Sequence, residues 1–492
     1  MDRDVIIIGA GLSGLACSLR LAASGYRVLV LDSNEGPGGK ISEKRARGYR
    51  FDTGASLLTL PGLIDDLLET ARVEERVGIR QLDIICKYFY SDGTIINAFR
   101  NAGDFATEIQ KKTGEKRESV LAFLRNSRYL YELTKDTFIF SPFRTLSNMF
   151  SRSALNVMLH FRALDAFRSM YEKNSQWFSD ARIRQLFNRY ATYSGSNPYT
   201  APATLNIIAH LEHGGGAYLP EGGMFSLIQV LYNSALAKGV EFMFKTRAEK
   251  IITGRKGKRG VEAGGGTIQS NIVVSDADIF SVYSRLLGRK KVPGYLLRQE
   301  LSSSAIIFFW GIKNTYPVLE THNILFSEDY RSEFEYIFER KAVYYDPTIY
   351  IYISSKIVHT DAPAGCENWF VMINSPVNGG QDWDRCVEEA RSKIISKINK
   401  TLDTDIESFI EFEDIADPRT IEKNSSSYKG ALYGNSSNNK MAAFFRHPNF
   451  ICRFKGLFFT GGSVHPGGGI PLCLASAKIV ADKIMKSHKR HL

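Results

Sequence analysis

The chain opens on a run of β-branched residues, Val5-Ile6-Ile7-Ile8, that carries no charge and ends at Gly9. An apolar run without alternation is the pattern of a parallel strand covered on both faces. Apolar positions return at Leu12, Leu15, Ala16, Leu19, Ala22 and Ala23, which is the spacing of one helix face, and Gly25 closes that helix. Tyr26-Arg27-Val28-Leu29-Val30-Leu31 predicts a second strand ending on Asp32. Gly239-Val240-Glu241-Phe242-Met243-Phe244 reads as a strand after a helix. Ala248-Glu249-Lys250-Ile251-Ile252 and Ile272-Val273-Val274-Ser275 read as strands flanking a Gly/Lys-rich stretch, 254–266, taken as a solvated hairpin tip. At the C-terminal end, Gly456-Leu457-Phe458-Phe459-Thr460 is an apolar strand running into glycines, and 470–485 reads as a helix. Three further strands, within 306–312, 348–353 and 369–373, are rich in aromatics and predict a sheet forming one wall of a substrate cavity. No stretch approaches ~18 uninterrupted apolar residues, so no transmembrane helix is predicted. The first apolar run is too short for a signal peptide.

The first turn carries the clearest chemistry. Gly9-Ala10-Gly11-Leu12-Ser13-Gly14 is a GxGxxG that follows a strand and opens a helix. Gly9 permits the turn, Gly11 lets backbone approach a pyrophosphate, and Gly14 lets the helix pack on the sheet. The helix N-terminus offers N–H groups and the positive end of its dipole. Asp32, 18 residues after Gly14, is placed to accept from ribose hydroxyls, and it disfavours a 2′-phosphate there. A second glycine turn, Gly36-Pro37-Gly38-Gly39-Lys40, follows at once, where a nicotinamide dehydrogenase would continue with further strand and helix units.

Composition narrows the classes. With 492 residues the chain is long enough for two or three domains, and 44% hydrophobic with 23% charged residues is an ordinary globular balance. The net charge of +11 comes without a zinc-finger spacing or an RNA-binding aromatic signature, so nucleic acid ranks last as a partner. The six cysteines form no CxxC pair and point to a reducing compartment. The nine histidines make no metal-binding pattern, and there is no GxSxG elbow for a nucleophile.

Several motifs together carry a resemblance. Asp32 followed by Gly-Pro-Gly-Gly-Lys is similar to the FAD fingerprint of amine oxidases and carotenoid desaturases. Gly48-Tyr49-Arg50-Phe51-Asp52-Thr53-Gly54-Ala55-Ser56 resembles the segment that follows it in the phytoene desaturase family. Tyr218-Leu219-Pro220-Glu221-Gly222-Gly223-Met224 matches that family's P-x-G-G turn, and Gly461-Gly462-Ser463-Val464-His465-Pro466-Gly467-Gly468-Gly469-Ile470-Pro471 resembles its most characteristic signature. Residues 51–61 and 363–369 look closest to the hydroxycarotenoid 3,4-desaturase branch.

The resemblance implies a mixed α/β fold. A Rossmann-like FAD domain is built from 1–75, 215–275 and 445–492, interleaved with a substrate domain of sheet and helices from 76–214 and 276–444. Within the latter, 100–210 is expected to be mainly helical, with a membrane-facing part. It implies FAD held by Gly9, Gly11, Leu12, Ser13, Gly14, Asp32, Gly38, Gly39, Lys40, Ala248, Gly462, Ser463, Ile470 and Pro471. Commoner flavoproteins carry an Asp in the C-terminal turn; this chain has none between Thr460 and Pro471. Glu221 and His465, the titratable residues inside the flavin-facing motifs, are the candidate catalytic groups.

The implied reaction is desaturation of a carotenoid by hydride loss to flavin and proton loss from the neighbouring carbon, most closely at C-3,4 of 1-hydroxylated acyclic substrates. The alternatives are phytoene desaturation, or an isomerase or retinol-saturase-like reaction on the same fold. A single dinucleotide fingerprint implies oxygen or a quinone as oxidant. Residues 137–164 contain no Asp or Glu but carry Arg144, Arg152 and Arg162 among Phe138, Phe140, Phe143, Phe150 and Phe161. That basic, aromatic stretch is expected to lie peripherally on a membrane, on the cytoplasmic side.

Overall fold

The computed structural model describes residues 3–142, 151–254, 259–288, 292–439 and 446–487. Two seven-stranded sheets organise it. The first has the order Ala248–Thr253, Arg259–Ala263, Gly266–Ser275, Arg3–Ile8, Val28–Leu31, Glu241–Met243, with Leu457–Phe459 also paired to Gly266–Ser275. Arg3–Ile8 is parallel to both neighbours, and Ile7 is in register with Val274 on one side and Val30 on the other.

The two faces of this sheet explain the unalternating apolar runs. Val5, Ile7, Val28, Val30 and Val274 pack on one face against helices Leu12–Ala23, Met224–Ala237 and Ile470–Ser487. Ile6, Ile8, Leu29, Leu31 and Val273 pack on the other, against Ile251, Val261 and Phe459. Every position is covered, so none needs to be polar. One expectation is corrected here. The stretch 254–266 is not simply a hairpin tip: Arg259–Ala263 is a strand, antiparallel to both Ala248–Thr253 and Gly266–Ser275. Its mixed, Gly-containing sequence has little strand character of its own; the two neighbouring ladders supply its hydrogen bonds. Residues 255–258 of that stretch lie outside the described residues.

The second sheet runs Ile410–Ala416, Ser304–Ile312, Glu367–Ser375, Ile349–Tyr352, His322–Leu325, Ile84–Phe89, Ile95–Phe99. The three aromatic stretches expected as strands are its central members. Side chains alternate as the pleat requires. Ile306, Phe308, Trp310 and Ile312 pack with Trp383, Ile394 and Ile398 of helix Trp383–Leu402. Ile307 and Phe309 face the opposite way, into a cavity. Helices Ala102–Thr113, Arg117–Thr134 and Ala181–Asn188 close a separate aromatic core of Phe105, Phe123, Phe178 and Phe187.

A buried ionic brace joins these parts. The Arg50 guanidinium bonds Asp52 at 2.6 Å, Glu43 at 2.7 Å and Asp361 at 3.0 Å. Asp52 in turn accepts the N–H groups of Met224 and Phe225, at the start of helix Met224–Ala237. The Arg50–Asp52 motif and the Pro220–Gly223 turn are therefore one structural unit.

Candidate functional site

A cavity of about 970 Å³ runs from the first glycine turn to the face of the second sheet. Its walls draw on both sheets, and side chains on both sides of the 275/276 division line the same space.

The glycine turn builds one end. A Cβ on Gly14 would overlap the Gly9 carbonyl oxygen, so only glycine lets the helix start this close to the strand. A Cβ on Gly11 would stand 2.6 Å from Asp276 Oδ2. The first N–H groups of a helix have no acceptor within it. Gly14 N–H finds one in Asp276 Oδ2 at 3.0 Å, which leaves the first turn, at Leu12 and Ser13, facing the cavity with the N–H geometry that suits a phosphate. Gly38 is bridged to Gly11, and its N–H donates to Ala10 O, so the second glycine turn closes over the first.

Asp32 is nearly buried and lines the cavity. Its Oδ2 accepts the Ala10 N–H at 2.7 Å and its Oδ1 the Asn34 N–H at 2.8 Å, so it holds the turn as well as facing the cavity. The Lys40 ammonium donates to Leu432 O at 2.5 Å. Its surface opens on the cavity, but protein surrounds it. Burial holds its pKa below the usual lysine range, against the pull of Asp278, Cys473 and Asp276. Ala248, Gly462, Ser463, Ile470 and Pro471 also line the cavity, as do Gly9, Gly11, Leu12, Ser13, Gly38 and Gly39. Gly14 lies beneath them as a packing position. These groups fit a long dinucleotide: a glycine turn at a helix N-terminus, an acid at the end of the next strand, and two further glycine turns along one continuous space.

The two candidate catalytic residues are elsewhere. Glu221 is exposed on the turn before helix Met224–Ala237, where its N–H donates to Gly78 O. The brace through Arg50 and Asp52 fixes that turn with its acid pointing outward. His465 is buried, but its Nε2 pairs with Ser141 O at 2.9 Å and its carbonyl accepts from Asn449 and Ser476. Burial lowers its pKa to about 4. Neither residue is among those that line the cavity.

Sequence reading missed Asp276 and Asp278. They follow directly on the Gly266–Ser275 strand and line the cavity beside the glycine cradle. Burial raises the Asp276 pKa to about 7, with Asp32 adding to the effect and the Gly14 N–H and Lys40 opposing it. Their signal was legible: an acid just past the C-terminal end of a parallel strand neighbouring the nucleotide strand. Also missed was a polar cluster of Arg189, Tyr193, Glu212, His322 and Tyr350 at the second-sheet side of the cavity. Between the two ends the lining is apolar, with Ile307, Phe309, Ile324, Phe370 and Met372. The described residues hold no group of three or more His, Cys, Asp or Glu suited to a metal.

A family model described as an NAD(P)-binding Rossmann-like domain matches residues 7–69. The chain is 46% identical over 483 residues to the 1-hydroxycarotenoid 3,4-desaturase of Flavobacterium sp. (strain P99-3), covering 98% of this chain and 99% of that protein. It is 31% identical over 494 residues to the 4,4'-diaponeurosporene oxygenase of Staphylococcus aureus (strain bovine RF122 / ET3-1), covering 98% of each. Among solved structures, a redesigned putrescine oxidase aligns over 99% of both chains with a TM-score of 0.67 at 15% identity. The cyclohexylamine oxidase from Brevibacterium oxydans IH-35A aligns over 100% of both with a TM-score of 0.64 at 15% identity. At that identity the two oxidases speak to the fold alone.

Proposed function

The chain belongs to the carotenoid desaturase family of oxidoreductases, and from that premise we propose that it uses FAD to introduce the C-3,4 double bond into 1-hydroxylated acyclic carotenoids. The observation that carries this reading is one continuous cavity that begins on a glycine turn suited to a dinucleotide and continues across an aromatic-rich sheet face with apolar Ile307, Phe309, Phe370 and Met372. Bound FAD would supply the hydride acceptor. Gly11, Leu12 and Ser13 would hold its pyrophosphate, Asp32 its ribose, and Gly462, Ser463, Ile470 and Pro471 the remainder. Ile307, Phe309, Phe370 and Met372 would orient a rod-like polyene and exclude water. Oxygen or a quinone is the oxidant in this reading, because the described cavity offers one dinucleotide cradle.

The same reading places the protein on the cytoplasmic face of a membrane. No helix among the described residues is long and apolar enough to cross one. Leu159 is 83% exposed, Met158 69%, Phe167 62%, Leu155 49% and Phe161 44%, with Arg152 and Arg162 exposed beside them. Apolar side chains presented among arginines suit an interface where rings and aliphatic chains enter lipid and cations meet headgroups. Arg144, Phe143 and Phe150, which the sequence reading also placed there, lie outside the described residues.

Pigment analysis of two hosts tests the reaction, one making phytoene and one making 1-hydroxycarotenoids. Expression should shift the absorption of the second to the red by one conjugated double bond and leave the first colourless. Colour appearing in the phytoene host would overturn the terminal-desaturase reading in favour of phytoene desaturation.

A further inference from the structure

The polar cluster on the substrate side is an unusual lining for a hydrocarbon. Arg189 opens the turn Arg189–Ser194, and its guanidinium is packed 4.5 Å from the Tyr190 ring centroid and 5.5 Å from that of Tyr193. Its Nη2 donates to Tyr88 Oη at 2.6 Å and to the Glu212 carboxylate at 3.1 Å, while its Nε is buried with no partner. Glu212 also accepts from Tyr193 Oη at 2.5 Å. Arg189, Thr192, Tyr193 and Glu212 all line the cavity.

On strand His322–Leu325, His322 lines the same space, stacked on Tyr352 at 5.1 Å and 12°. Its Nδ1 is 2.8 Å from Tyr350 Oη, which is 2.6 Å from Ser56 Oγ. Its Nε2 is buried with no partner. Burial, with Arg189 acting in the same direction and Glu212 against it, lowers the ring's pKa to about 4, so the imidazole is neutral. Nδ1 faces Tyr350 Oη, and the way that hydroxyl turns sets the tautomer: Nε2 accepts when Nδ1 carries the proton and donates when it does not.

The cluster thus holds an unmet Arg189 donor and an unmet His322 ring nitrogen, and buried polar groups are ordinarily paired. A hydroxyl answers both, since it has two acceptor lone pairs and one hydrogen to donate. A pure hydrocarbon answers neither. We propose that Arg189 and His322 dock the terminal hydroxyl of the substrate, Arg189 donating to its oxygen and His322 Nε2 accepting its hydrogen. The Ser56–Tyr350–His322 chain ties the cluster to the Gly54–Ser56 segment, whose Gly54 packs on the Lys40 carbonyl. The proposal rests on the carotenoid reading and adds to it the group that recognises the substrate's end.

Binding and turnover are measured separately on FAD-loaded enzyme, binding by quenching of tryptophan fluorescence. The probes are a 1-hydroxylated acyclic carotenoid and the same polyene lacking the hydroxyl. Wild type should bind the hydroxylated probe at least tenfold more tightly. His322→Phe, which keeps the ring stack, should abolish that preference mainly through KM. The double variant Arg189→Met/Glu212→Gln removes both buried charges together and should do the same. Binding of the deoxy probe should change less than twofold in either variant. Equal wild-type affinity for the two probes would overturn the proposal, as would variants that weaken both alike. If the binding preference holds while neither polyene is desaturated, the reaction reading fails and the docking site stands.

Discussion

The carboxylate of Asp276 accepts the N–H of Gly14 at 3.0 Å, joining two residues 262 positions apart at the glycine turn that opens the first helix. An acid here serves two opposed ends. It caps the helix that would bind a pyrophosphate, and when ionised it repels that pyrophosphate.

This relationship predicts a pH dependence. Asp276 ionises near 3.8 when unfolded and at about 7 when folded. Between those values the unfolded chain carries the charge and the folded chain does not. The stability it contributes is therefore fully present below about pH 4 and declines as pH rises toward 7. The flavin-free protein should melt lower at pH 8 than at pH 5, and Asp276→Asn should remove part of that drop. The same variant should bind FAD about tenfold more tightly at pH 8, with little gain at pH 5, by titration of apoprotein. A pH-independent effect would show that repulsion is not the cause.

Gly11→Val should purify colourless. Its side chain would collide with Asp276 Oδ2, 2.6 Å from the Cβ position, and fill the cradle. The flavin absorbance of the purified variant measures this directly, and full occupancy would refute the cradle.

Asp32→Ala should do more than weaken FAD. Losing charge-assisted bonds to the ribose should cost roughly 1.5–3 kcal/mol of cofactor affinity. The variant also leaves the Ala10 and Asn34 N–H groups without their acceptor, so the flavin-free protein should melt lower too. An apoprotein melting like wild type would mean that water replaces the carboxylate.

Arg50→Met should destabilise by about 3–5 kcal/mol, because Asp52 and Asp361 would be left buried without a counter-charge. Adding Asp361→Asn should recover part of that loss, readable by chemical denaturation.

Liposome flotation should weaken when Leu155, Met158 and Leu159 become Ser, and weaken further at high salt as Arg152 and Arg162 are screened. Flotation equal to wild type would move the docking surface elsewhere.

The amino-acid sequence alone determined the local elements. Val5–Ile8, the helix after Gly11, the strand before Asp32, the C-terminal helix and the aromatic strands were all legible, because periodicities of 2 and 3.6 report which faces a segment buries. The glycine motifs were legible too, since close approach of backbone to backbone admits one residue type at Gly14. The tertiary structure alone decided what pairs with what. Arg259–Ala263 is a strand because two neighbours offer it ladders. Glu221 lies exposed on a turn joined to the Arg50–Asp52 brace, and the His465 ring nitrogen meets Ser141 O, 324 residues away. Asp276 reached the cradle, and Arg189, Glu212, His322 and Tyr350 came together, only once the strand order was set. Hydrogen bonds and charge act across a few ångströms of space, and the periodicity of a segment carries no information about which distant segment will lie within that reach.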